Sequence, residues 1–282
     1  MTYQEVLDQR VVSISISESP DMPVLGFTEE HLRDAMAEIA RHVLALGASL
    51  AYGGDLRVQG FTNLLFELVS RHGRKRDEED AKTSVTDYLA WPVHILMATA
   101  DLERYASELT DYARLVLLTL DGEVCEMKAR HLLPQRLPTE SEWAQGLTSM
   151  RKVMLRATDA RIVLGGRMEG YKGLMPGIAE EALLSLQARQ PLFLIGGFGG
   201  CSREIAETLG IVPRSATSRP KWKELEAFGP FKDADMDNGL TREENMILAK
   251  TPHVDEAVAL TLRGLLRLET DGRFVRPALE SF

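Results

Sequence analysis

The sequence predicts an α/β fold of the doubly wound kind, a mostly parallel sheet with helices on both faces. Two observations carry this expectation. Short apolar runs alternate with segments of helical periodicity along the first 210 residues, and strands joined through helices pair in parallel. Three of those runs also end in paired glycines just before a helical pattern: ASLAYGG at 48–54, RIVLGG at 161–166 and PLFLIGGFGG at 191–200. Glycines at a strand end let a ligand approach the backbone, and the following helix N-terminus offers free N–H groups to an anion. Repeated in one chain, this construction points to a nucleotide or sugar-phosphate site.

Residues 11–16 are β-branched and alternate with serine, which reads as a first strand ending in Ser17, Glu18 and Ser19 before Pro20. Ser13, Ser15, Ser17 and Ser19 then share one face, where small side chains let a helix pack closely. Thr28, Glu29 and Glu30 open an apolar helical period that Gly47 stops. Residues 48–54 form the second strand and 62–71 the second helix, with Thr62 as its cap. The charged run 71–82 lacks periodicity and reads as a solvated loop or helix end. Residues 93–97 and 115–120 are the next strand candidates.

Thr139 and Glu142 form a T-x-x-E capping box that starts a helix over 139–157, ahead of a strand at 161–164. A helix over 176–188, a strand at 192–195 and a helix over 202–209 complete a second doubly wound half. Residues 213–245 break this rhythm with proline, glycine and charge, as a lid or a partner loop would, and an amphipathic helix follows over 255–268. The domain division expected is a nucleotide-binding domain at 1–212 and, over 213–282, a polar loop or lid plus a C-terminal helix packed on that domain.

Composition narrows the function. A chain of 282 residues with 44% hydrophobic and 27% charged residues can bury about three-quarters of its unfolded surface. No apolar stretch approaches the roughly 20 residues that span a bilayer, and the opening MTYQEVLDQR lacks an apolar signal core, so a cytoplasmic location without a membrane partner is expected. The formal charge of −9 argues against general nucleic-acid binding, which rests on Lys and Arg neutralising phosphates. Cys125 and Cys201 match no metal spacing and the six histidines show no HExxH pairing, so no metal and no resident cofactor is expected.

The densest motif is GGRMEGYKGLMPGIAEEA at 165–182. Gly165 and Gly166 end a strand, Pro176 and Gly177 start a helix, and Arg167 and Lys172 in the loop between them can add charge-assisted contacts to phosphate. Glu180 or Glu181, one turn into the helix, can accept from ribose hydroxyls. The other reading is a tight turn beside a solvated glutamate pair. Around the first diglycine, Gly53 and Gly54, Asp55 can hold a hydroxyl or cap a turn, and Arg57 joins it or is exposed. In the third turn Gly196, Gly197, Gly199 and Gly200 make a second cradle, and Cys201 at the helix start is expected to have some thiolate character. Ser17, Glu18 and Ser19 lie at the carboxyl end of the first strand, where ligands bind in open α/β sheets, and they join a site there or simply terminate the strand.

Taken together, the serine-tipped first strand, AYGGDLRVQGFTNLL at 51–65, PGIAEEA at 176–182 and LIGGFGG at 194–200 resemble the SLOG superfamily. This is the Rossmann-like group that includes the lonely-guy phosphoribohydrolases and DNA-processing protein A. The PGI-x-EEA and GGFGG pair is most similar to the uncharacterised SLOG clusters of bacterial conflict systems. The resemblance covers residues 8–210 and implies a doubly wound Rossmann-like fold and a nucleotide-derived ligand, ADP-ribose-like or a cyclic nucleotide, bound in a sensor that self-associates or signals to an effector protein. The hydrolases carry PGGxGTxxE; here Ile195 stands at the Pro, Gly200 at the Thr and Arg203 at the Glu. A rival reading is an enzyme that cleaves or transfers an N-glycosidic bond, with Glu180 or Glu181 as base or nucleophile.

Overall fold

The computed structural model describes residues 5–54, 56, 60–72, 84–109, 113–214 and 222–274. Its strands are β1 (Val11–Ser17), β2 (Ser49–Tyr52), β3 (Val85–Leu89), β4 (Ala113–Leu117), β5 (Ala160–Gly165) and β6 (Leu192–Ile195). They form one six-stranded sheet in the order β4-β3-β2-β1-β5-β6, parallel at every pairing. The expected doubly wound α/β fold is what the chain adopts.

The helices are α1 (Met22–Leu25), α2 (Glu29–Ala45), α3 (Phe61–His72), α4 (Trp91–His94), α5 (Thr99–Leu109), α6 (Met127–His131), α7 (Glu140–Ala157), α8 (Gly177–Gln187), α9 (Gly200–Thr208), α10 (Arg242–Leu248) and α11 (Val254–Thr270). The capping box at α7 forms as its spacing predicts: Thr139 Oγ1 accepts from Glu142 N at 3.3 Å, and Glu142 Oε2 accepts from Thr139 N at 2.8 Å.

Alternation along the strands divides the core in two. Val12, Ile14 and Ile16 of β1, Ile162 and Leu164 of β5, and Phe193 and Ile195 of β6 face one layer, shared with α2, α3, α5 and α11. The other face is covered by α7, α8 and α9: Val163, Leu192 and Leu194 pack with Ile178, Leu186 and Ile205, while Ala51 and Val116 pack with Met150 and Met154. Ser13 and Ser15 lie on this second face, against which α8 packs. Trp222, Leu225, Phe228 and Met236 bury their side chains among α8 and α9, which fastens residues 222–236 to the sheet domain.

The strand expected at 93–97 is not one. The strand between α3 and α4 is β3, and Trp91–His94 is a helical turn with Pro92 in its first positions. Pro lacks the N–H that a central strand must donate, and its fixed φ suits a helix start. Helix α3 extends one residue beyond the expected 62–71 at each end, so Thr62 is its second residue rather than its cap, whereas 73–82 of the charged run lie outside the described residues. Among the described residues, no helix is long and apolar enough to cross a membrane.

One buried histidine ties the edge of this sheet to pH. His94 Nε2 donates to Leu118 O at 2.8 Å. Burial pushes its pKa down to about 4, against the partial opposition of that hydrogen bond, and nearby Arg130 lowers it further. Between pH 6.5 and 4 the unfolded chain binds a proton that the folded chain refuses, so stability is full above pH 6.5 and falls as pH drops. Glu142 and Glu244, held down to about 2 chiefly by Arg136 and Arg267, lose their contribution only below pH 4.5. Denaturant titrations at pH 7 and 4.5 are expected to show a loss of about 2–3 kcal/mol from His94, and His94→Asn, which keeps an N–H donor, should abolish that part.

Candidate functional site

Crossovers leave β1 toward β2 on one side of the sheet and β5 toward β6 on the other, so the strand order switches between β1 and β5. A crevice opens at the carboxyl ends of such a pair, where ligands bind in open α/β sheets. Ser17 and Gly165, the last residues of the two strands, stand opposite one another in register. Gly166 N donates to Ser17 O at 2.9 Å and Arg167 N to Ser17 Oγ at 3.3 Å, which folds the β5–α8 loop back over the tip of β1. Glu18 is exposed on the same tip.

Arg167 and Lys172 are both exposed on this loop, and among the described residues neither forms a salt bridge. Lys172 instead holds its ammonium 3.8 Å from the centre of the Trp143 ring on α7. The loop ends at Pro176, the N-cap of α8, and Gly177, its first residue. A Cβ on Gly177 would sit 2.8 Å from an Arg151 guanidinium nitrogen, and one on Gly173 would sit 3.1 Å from the other. The two glycines therefore let a cation from α7 reach the first turn of α8.

That cation is answered by the acidic pair. Glu180 receives Arg151 Nη1 on one carboxylate oxygen and Thr148 Oγ1 on the other. Glu181 Oε2 lies 3.1 Å from Arg161 Nη1, and its other oxygen 3.7 Å from Arg151 Nε. Arg161 is fully enclosed, donating also to Ser15 Oγ at 2.8 Å and Ser185 Oγ at 3.1 Å. Burial lowers its pKa from the usual arginine range, Glu181 raises it and Arg151 lowers it. Both glutamates are thus buried between β1, β5, α7 and α8 as paired charges.

The third glycine turn is filled by the chain itself. Gly200 N, at the start of α9, donates to Asp21 Oδ2 at 2.8 Å, so a carboxylate 179 residues away serves this helix N-terminus. Gly199 lies against Asp21, and Gly200 against Gly166 O and Ser19. Gly196 and Gly197 abut the backbone of Ala249 and Thr251. Cys201 is not the thiolate its place at a helix start suggested: burial pushes its pKa up to about 12, and its thiol donates to Arg167 O at 2.8 Å. Burial outweighs the favourable dipole because the sulfur has no exposure at all.

At the first turn Gly53 faces Met154 and Met150 of α7, and Gly54 N donates to Asp87 Oδ1 of β3 at 3.3 Å. Asp55 and Arg57 lie outside the described residues. Sequence reasoning missed Asp21, Asp87, Trp143, Arg151 and Arg161. The signal for the two arginines is a cation at a core-facing position, Arg161 inside an apolar strand and Arg151 beside Met150; the two aspartates carry no local signal.

The switch-point crevice, the β5–α8 loop with its two exposed cations and the glycine-tipped strands all fall within one matched region. A family model described as SLOG cluster2 matches residues 6–251, which span every strand of the sheet. Comparison with curated proteins finds no match. The chain belongs to the SLOG superfamily, in its cluster2 family.

Proposed function

We propose that this protein binds a nucleotide or nucleotide-derived ligand, ADP-ribose-like or cyclic, as a sensor in bacterial defence. SLOG membership supports a nucleotide-related role. The observation that carries the reading is the pair Arg167 and Lys172, which lack carboxylate partners among the described residues beside the switch point, although acids outnumber bases in the chain. Exposed cations beside open backbone are suited to phosphate. Ser17, Glu18, Gly165 and Gly166 form the floor of this proposed site, and Gly53 and Gly54 its far side. Binding is favoured over N-glycosidic cleavage because Glu180 and Glu181 are both engaged by arginines, which leaves neither as a ready base.

Arg167→Ala is expected to weaken ADP-ribose binding at least tenfold, about 1.4 kcal/mol, without moving the denaturation midpoint. Calorimetry on both proteins checks this, and unchanged affinity removes Arg167 from the site. Mass spectrometry of the protein after incubation with nucleotides, NAD, ADP-ribose and cyclic derivatives separates the roles. Recovery of an intact ligand supports a sensor, and release of free base supports an enzyme.

A further inference from the structure

The core-facing stripe of α7 runs through Trp143, Leu147, Met150 and Met154, spaced i, i+4, i+7 and i+11. Its lower members are occupied: Met150 and Met154 pack on Ala51, Val116 and Gly53, and Leu147 packs beside them. Trp143 belongs to none of the three apolar clusters among the described residues. Helix α7 feeds a parallel strand and so runs against the sheet direction, and Trp143 lies two turns, ~10 Å, beyond Met150 toward the carboxyl ends. Since Met150 approaches Gly53 at the end of β2, Trp143 stands beyond the carboxyl end of a strand next to the switch point, and Lys172 of the β5–α8 loop reaches its ring.

We propose that Trp143 is the platform on which the base of the ligand stacks, and that Lys172 is a displaceable cover on it. This rests on the nucleotide reading and adds where the base lies. Trp91 and Trp222 are buried, and Trp143 is the partly exposed indole of the chain. Its ring face is held by the Lys172 ammonium, an exposed group whose cation–π contact is weaker than base stacking on an aromatic ring. Every nucleobase has a π-face, so stacking selects for a base without selecting which one. A base that takes the ring releases Lys172 toward the phosphate beside Arg167, on the same loop. The same cation covers the apolar ring in the free protein and balances the anion in the bound one.

The test uses the full chain and calorimetry with AMP, adenosine and ribose 5-phosphate, which keeps the sugar and the anion and lacks the base. Trp143→Ala should weaken AMP binding at least tenfold and Trp143→Phe two- to threefold, while ribose 5-phosphate affinity stays the same in both. Lys172→Met should weaken AMP but leave adenosine as tight or tighter, because the cover is gone. Trp143→Phe and Lys172→Met keep the test decisive if Trp143→Ala does not fold. Unchanged AMP affinity in Trp143→Phe together with weaker adenosine binding in Lys172→Met overturns the proposal, as does an equal loss of AMP and ribose 5-phosphate in Trp143→Ala. If Arg167→Ala loses AMP while the Trp143 variants keep it, the nucleotide reading stands and the platform falls; if the unsubstituted protein binds none of AMP, adenosine, ADP-ribose and cyclic AMP, both fall.

Discussion

Arg161→Met is expected to cost about 3–5 kcal/mol of folding stability, a drop in Tm of roughly 10 °C for a protein of this size. The methionine fills much of the arginine's volume, so the loss is electrostatic. Arg161 is 1% exposed and supplies Glu181 with its closest cation, at 3.1 Å, together with donors to Ser15 and Ser185. Removing it leaves a buried carboxylate with Arg151 Nε at 3.7 Å as its remaining cation. The pair itself need not be net stabilising, since both charges are desolvated; breaking it by one partner is what costs. Arg161→Met combined with Glu181→Gln should therefore recover a large part of the loss, with a coupling of about 1–3 kcal/mol in a double-mutant cycle by urea unfolding. Additive losses would show that Arg161 and Glu181 do not depend on one another.

Gly200→Ala should destabilise by more than about 2 kcal/mol, for two reasons that add. Gly200 sits at φ +67°, where an L-residue costs roughly 1–2 kcal/mol. A Cβ there would also overlap Gly166 O and approach Ser19 Cβ to 2.9 Å, and the carbonyl belongs to a backbone held by Cys201 N at 3.2 Å. Gly170, at φ +66° with nothing near its Cβ position, isolates the first term. Gly170→Ala is expected to cost only the backbone strain. Equal effects in the two variants, measured by thermal unfolding, would mean that the packing of β1, β5 and α9 around Gly200 contributes nothing.

Much of the fold was legible because its signals act over a few residues. The alternation in VVSISIS, the Thr139–Glu142 box and the apolar period of α2 each state a local preference, and the parallel sheet follows from their order. The failure at 93–97 came from a short apolar run, which periodicity cannot assign; Pro92 and the alternation of VTDYL decided it. The glycine turns were likewise visible. What they pack against was not, because a diglycine that admits a ligand and one that admits a methionine or a carbonyl look alike in sequence.

The sequence by itself determined the fold class, the glycine turns and the superfamily, since hydrophobic period, caps and turn residues are properties of neighbours along the chain. Only the tertiary structure decided which charges are spent and which are free. Asp21 meets Gly200 across 179 positions and Arg161 meets Ser15 across 146, distances at which no local pattern operates. A buried charge must find a partner wherever the topology brings one, and that partner is chosen by the packing of β1, β5, α7 and α8. By that sorting Glu180, Glu181 and Asp21 are paired within the protein, while Arg167 and Lys172 are left at the crevice without a carboxylate among the described residues.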